Sequence, residues 1–357
     1  MSGKPIKLGV LLDEPRYERP DFLLNALSLK LDEFNAAGGV EGRQVTMRLI
    51  IADGAHAGLP ENLRPAFREM AADPEVVGII GPGVTDNCLV LVDEVDRAQV
   101  PTLGYPGSED CRGEWFFQYQ LGSFAWEALF LARAMAKAGR RRVGVLQSGA
   151  VGAFYCAHFE REARLLGLTI VGKAYADVHQ SDVTGQVGAL REQSPDAILF
   201  LGMGEPTLPF AATPGKLGWR IPVYANIAMM RVGGFGPAEL RAVEGLVWVD
   251  QYEPRNPTLQ AFEAAYRARY GEPPHPYATT PAGYDMMTLM TEGLKRAPNL
   301  SRAGLKAGLE QTRQIPAAAG GLAVVMGFDK WDRQALKGPD VMTYRRVRDG
   351  RVETFEL

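Results

Sequence analysis

The sequence predicts an α/β fold of two doubly wound, mostly parallel sheets, and three observations carry that prediction. Short apolar runs alternate with amphipathic helical stretches from the first residues onward, the pattern of a parallel sheet covered on both faces. The alternation restarts after residue 137 as a second set with the same order of strand, loop and helix. Two early runs also end in glycine-bearing turns closed by a hydroxyl, Gly81-Pro82-Gly83-Val84-Thr85 and Pro101-Thr102-Leu103-Gly104-Tyr105-Pro106-Gly107-Ser108.

In the first set, Ile6, Leu8, Val10 and Leu12 recur at period two and predict a strand over residues 6–12. Leu23, Ala26, Leu27, Leu31 and Phe34 make one helical stripe, closed by Gly38-Gly39 at the carboxyl cap. Val45, Met47, Leu49 and Ile51 give the next strand, and residues 61–72 a helix stopped at Asp73-Pro74. A strand at 76–80, a helix at 86–97 and a short strand at 100–103 follow, then Trp115-Phe116-Phe117 as a further strand.

The second set begins after a helix over 124–137. It reads strand 143–146, helix 154–166, strand 169–174, helix 183–192 and strand 197–201, with further strands at 222–226 and 246–249. Helical patterns at 257–270, 281–296 and 301–312 come next. Runs at 341–348 and 351–355, parted by Asp349-Gly350, predict a closing hairpin. No low-complexity linker intervenes, so two closely packed units with a cleft between them are expected.

Bulk properties narrow the function. A chain of 357 residues corresponds to about two domains. A net charge of -3 offers no basic field for nucleic acid and no polybasic stretch for an anionic membrane. No apolar run approaches the ~20 residues that cross a bilayer. The amino terminus leads straight into a strand with no signal-like segment, so the protein is either cytoplasmic or without its leader. Cys88, Cys111 and Cys156 form an odd set with no close pair, so neither a disulfide framework nor a zinc ribbon is implied. Cys88 and Cys111 pair only in an oxidising compartment; otherwise these are buried thiols.

Enzyme signals are weak. Gly202-Met203-Gly204-Glu205-Pro206-Thr207 follows a strand but lacks the third glycine of a dinucleotide loop, so an NAD-dependent enzyme is the least favoured reading. His56, His158, His179 and His275 are scattered, without metal-ligand spacing. No Gly-x-Ser-x-Gly elbow exists. No catalytic residue, metal site or cofactor is predicted. A strand that stops at glycine and restarts as a helix does, however, offer backbone N–H groups and a hydroxyl to a small anion such as a carboxylate.

Phe34-Asn35-Ala36-Ala37-Gly38-Gly39-Val40-Glu41-Gly42-Arg43 resembles the N-A-A-G-G-I-N-G-R signature of type I periplasmic binding proteins, in their branched-chain amino acid branch. Ile79-Ile80-Gly81-Pro82, the F-x-x-A-Y-x-x-R-Y-G-x-P-P pattern over 262–274 and Tyr284-Asp285 match the same family. The resemblance implies two lobes joined by a three-crossing hinge: 1–121 plus 253–325, and 122–252 plus 326–357.

It also implies site residues. The family's carboxylate-holding hydroxyls fall on Thr85 and Ser108, with their backbone N–H groups and the carbonyl of Gly107 completing the anchor. Val151 and Met203 stand where ligand-stacking aromatics are usual, and Asn226-Ile227 where a carboxylate meets the ligand's ammonium. Burying an ammonium without its counter-charge is costly. The expected ligand is therefore a carboxylate or amide with an apolar body, with an amino acid as the alternative. Tyr105 is placed for stacking. Arg16 and Tyr17, in an atypical loop after the first strand, are read either as an anion clamp or as a solvated rim.

The resemblance implies a solute-binding protein that passes its ligand to the membrane subunits of an ABC importer, outside the cytoplasm and without inserting into the membrane. The alternative is a cytoplasmic sensor of the same fold that controls a regulator.

Overall fold

The apolar alternation at the amino terminus forms β1 (Ile6–Leu12), followed by α1 (Pro20–Ala36) and β2 (Val45–Ile51) in the computed structural model of the chain. The structure describes residues 3–13, 20–52, 60–276, 278–338 and 340–357. Arg16 and Tyr17 lie outside the described residues. Leu23, Ala26, Leu27, Leu31 and Phe34 are all buried, as the stripe on α1 requires.

α2 (Leu63–Ala72), β3 (Val76–Ile80), α3 (Thr85–Ala98), β4 (Thr102–Gly104) and β5 (Phe116–Gln118) complete a five-stranded sheet. Its order is β2-β1-β3-β4-β5, and every neighbouring pair is parallel. Order reverses at β1, so the carboxyl ends of β1 and β3 frame the crevice where such sheets take ligands. Phe67 and Met70 of α2, Ile79 of β3 and Leu91 and Val95 of α3 form the apolar core on one face.

The next block holds α4 (Phe124–Lys137), β6 (Arg142–Ser148), α5 (Gly149–Leu165), β7 (Thr169–Ala176), α6 (Thr184–Glu192), β8 (Ala197–Gly202), α7 (Thr207–Lys216), β9 (Val223–Ala225), α8 (Pro237–Ala242) and β10 (Val247–Asp250). α9 (Pro257–Tyr270), α10 (Thr279–Arg296), α11 (Arg302–Leu309) and the short strands β11 (Ile315–Pro316), β12 (Val325–Met326) and β13 (Leu336–Lys337) follow. β14 (Thr343–Arg348) and β15 (Arg351–Phe355) form the closing antiparallel hairpin.

The second sheet runs β15-β14-β10-β9-β8-β6-β7, parallel from β10 to β7 and antiparallel at the hairpin. Order reverses at β6, placing a second crevice at the ends of β6 and β8. Phe200, Phe210, Trp248 and Val347 lie in its core.

The chain divides into two compact units, Met1–Ser123 with Pro254–Val341 and Phe124–Glu253 with Met342–Leu357, and so passes between them three times. The third passage differs from the expected one. Residues 326–341, assigned from sequence to the second lobe, group with the first unit. β12 pairs with β11 and β13, and the β5 residue Gln118 exchanges backbone hydrogen bonds with Arg333 and Ala335 at 2.8 Å each.

α5 also starts five residues earlier than the helical pattern indicates, at Gly149. Gly152 is needed inside it: a Cβ there would lie 2.8 Å from the Leu201 carbonyl of β8.

Candidate ligand-binding site

In the first unit, the turn after β3 and the turn after β4 meet. Gly81 holds φ 92°, and the Gly81–Pro82 peptide is cis. Any side chain at Gly81 would strike the Leu11 carbonyl. One at Gly83 would strike the ring of Tyr105, which is buried against it. Tyr105 in turn donates its amide to the Pro82 carbonyl at 3.1 Å.

Thr85 is the first residue of α3 rather than its cap, which is Val84. The Thr85 hydroxyl accepts a hydrogen bond from the Gly107 amide at 3.2 Å. Accepting there leaves the hydroxyl its own proton to donate. The Ser108 hydroxyl accepts from the Asp110 amide at 3.3 Å and lies 3.4 Å from its carboxylate, capping the short 3-10 turn Glu109–Cys111. Gln118 braces this loop from beneath, donating to the Pro106 and Ser108 carbonyls at 2.8 Å each. Among the described residues, the amides of Thr85 and Ser108 have no acceptor.

The sequence reading missed Asp13. Fully buried at the end of β1, its carboxylate accepts from the Gly83 and Val84 amides at 2.9 Å and from the Asn87 side chain at 2.8 Å. The first two amides of the turn are therefore already taken by the protein's own anion. Burial pushes the Asp13 carboxyl up, and these three hydrogen bonds pull it back.

In the second unit, Val151 sits half-buried in the first turn of α5 and Met203 follows β8, 38% exposed. The Met203 carbonyl accepts from the Ser148 hydroxyl at 2.7 Å, joining the loops after β6 and β8. Asn226 is fully buried and donates to the Gly202 carbonyl at 3.0 Å.

An acid does reach the Asn226-Ile227 segment, from α4. The buried Glu127 carboxylate accepts from the Ile227 amide at 2.7 Å and from the Tyr155 hydroxyl at 2.8 Å. Burial and the adjacent Glu127 hold the Tyr155 hydroxyl well above its ordinary range. Sequence reasoning looked for an acid beside Asn226 and could not place one arriving from a helix 100 residues earlier.

Among the described residues, no cluster of three or more His, Cys, Asp or Glu is arranged to hold a metal ion. None of their helices is long and apolar enough to cross a membrane.

The family model described as periplasmic binding protein matches residues 22–342, and the chain belongs to that family. No curated protein matches the sequence. Among solved structures, a periplasmic binding protein type 1 from Bordetella pertussis Tohama I superposes with a TM-score of 0.83 at 20% identity, covering 99% of this chain and 100% of that one. An ABC transporter substrate-binding protein from Desulfitobacterium hafniense, in complex with Leu, gives 0.79 at 23% identity over 99% of this chain and 100% of that one. A solute-binding protein of an ABC transporter from R. palustris, in complex with benzoate, gives 0.80 at 16% identity over 99% and 96%. These likenesses establish the type I fold.

Proposed function

We propose that the protein is the solute-binding component of an ABC importer, working outside the cytoplasm without catalysis. It holds a small carboxylate- or amide-bearing ligand with an apolar body and passes it to the importer's membrane subunits. The observation that carries this reading is the junction of the β3 and β4 turns. There the Thr85 and Ser108 amides and the Thr85 hydroxyl present donors suited to a carboxylate or an amide carbonyl.

Two features favour a ligand without an amine. Asn226, not an acid, follows β9, and the nearby Glu127 carboxylate is engaged by Tyr155 and Ile227 within the unit's own core. The fold itself admits either class, since one similar structure holds leucine and another benzoate.

Calorimetric titration with leucine, 4-methylpentanoate (the same skeleton without its amine), benzoate and benzamide tests the reading. The expected result is that 4-methylpentanoate binds at least as tightly as leucine. Leucine binding tenfold tighter, about 1.4 kcal/mol, overturns the amine-free assignment. A loss of that advantage in Glu127→Gln then identifies Glu127 as the ammonium's partner.

A further inference from the structure

We propose that Cys88 and Cys111 are the two halves of a disulfide that forms when the chain folds under oxidising conditions, and that it clamps the Thr85 and Ser108 loops from beneath. Cys88 lies one turn into α3, and Cys111 ends the 3-10 turn that begins just after Ser108. Both are fully buried free thiols in one apolar cluster with Leu91, Val95, Trp115 and Phe116.

Their polar contacts bring them to the same place. The Cys88 thiol donates to the Pro82 carbonyl at 3.4 Å, and the Cys111 thiol donates to the Thr85 carbonyl at 3.7 Å. Both carbonyls belong to the segment that runs from Pro82 into α3, so the two thiols border the same short stretch of chain. That shared neighbourhood favours a cross-link between the two cysteines, for which backbone separation is the usual obstacle. What is given up is weak, since thiols are poor donors. Cys156 belongs to α5 in the other unit, where its thiol donates to the Glu160 carboxylate at 3.5 Å.

The chemistry balances with a disulfide oxidant of the oxidised-glutathione class. One cysteine thiolate attacks the oxidant's S–S bond and releases one reduced thiol; the second cysteine then displaces the other. One S–S bond forms in the protein, one breaks in the oxidant, and two protons and two electrons pass to its two thiols. Burial raises the Cys88 thiol and slows this exchange in the folded protein. The bond therefore forms while the two segments are still accessible during folding.

The place of oxidation follows from the extracytoplasmic reading above, but the experiment uses no ligand, so the two stand or fall separately. Full-length protein is unfolded with reductant, refolded in a glutathione redox buffer, denatured again without reductant and titrated with Ellman's reagent. Of the three cysteines, one free thiol is expected after oxidative refolding, and none in Cys156→Ser. Non-reducing peptide mapping should join the Cys88 and Cys111 peptides. Adding reductant should lower the thermal midpoint of the oxidised wild type and of Cys156→Ser, but not that of Cys88→Ser. Three free thiols after oxidative refolding, or a map that joins Cys156, overturns the proposal. Because thiols are counted in denaturant, a variant that folds poorly still gives an answer.

Discussion

The Gly107 amide donates to the Thr85 hydroxyl across 3.2 Å, so a side-chain hydrogen bond reinforces the backbone tie between the turn after β3 and the turn after β4. Thr85 is thereby a brace between two loops as well as a candidate ligand contact. Neither role requires it to cap α3, which begins with Val84 as its cap and has no side-chain capping bond.

Replacing that hydroxyl should weaken ligand binding more than it weakens the fold. A hydrogen bond to a charged group contributes about 1.5–3 kcal/mol, so Thr85→Val should reduce affinity roughly tenfold or more, whereas Ser108→Ala keeps the backbone amide offered to the ligand and removes only the cap on the 3-10 turn. Thr85→Ser keeps the oxygen and should stay close to wild type. Calorimetry with the tightest ligand of the panel above checks this. Unchanged affinity in Thr85→Val would remove the Thr85 hydroxyl from the site.

Gly83 faces the ring of Tyr105 with no room for a methyl group. Gly83→Ala should displace that ring and destabilise the first unit by about 1–3 kcal/mol, the usual cost of overpacking. In the double variant with Tyr105→Ala the clash disappears, so the two costs should sum to less than their separate values. Urea unfolding of the four proteins in the cycle measures the coupling; strict additivity would show that the two positions do not press on each other.

Asp285 of α10 gives stability a pH dependence of known sign. Its buried carboxylate accepts from the Tyr119 hydroxyl at 2.7 Å and from the Ala318 and Ala319 amides at 2.8 and 3.0 Å. Burial nevertheless pushes it up from 3.8 to about 6. A carboxyl raised on folding favours the protonated native state. Its contribution is complete below the ordinary value and is lost as pH climbs toward about 6, a change of about 3 kcal/mol for a shift of this size. Asp285→Asn should flatten that fall in urea midpoints taken across this window. An identical pH slope in variant and wild type would place the titration elsewhere.

Where a signal is local, the sequence displays it openly. The α1 stripe, the closing hairpin and the glycine turns at 81–85 and 104–108 each announce themselves within about a dozen residues. What escapes notice depends on partners far along the chain. Asp13 looks like the start of a charged loop until the Gly83 and Val84 amides, 70 and 71 residues on, reach it. Glu127 reads as an ordinary helix residue until Ile227 folds against it.

Helix signals fail where glycine and proline serve packing. Gly149 and Gly152 disguise the first turns of α5 as loop, although a close approach demands each of them, to the Val178 side chain at Gly149 and to the Leu201 carbonyl of β8 at Gly152. α7 carries Pro214 within its length and leaves no legible stripe. Short strands such as β11 to β13 hold too few residues for any period to emerge, and the boundary after residue 325 that the family resemblance implies falls within one of them, β12.

The Tyr119–Asp285 bond spans 166 residues, with the whole of the central block made in between. Small domains commonly fold as they leave the ribosome, earliest segment first. Here that order is unavailable. The first unit waits for α9 to α11 and for β11 to β13, and the second lacks β14 and β15 until residues 343–355 emerge. Synthesis therefore delivers the five strands of the first sheet long before the later segments of its unit, and most of the second sheet before its closing hairpin, so each unit is completed by chain made far downstream of its first strands.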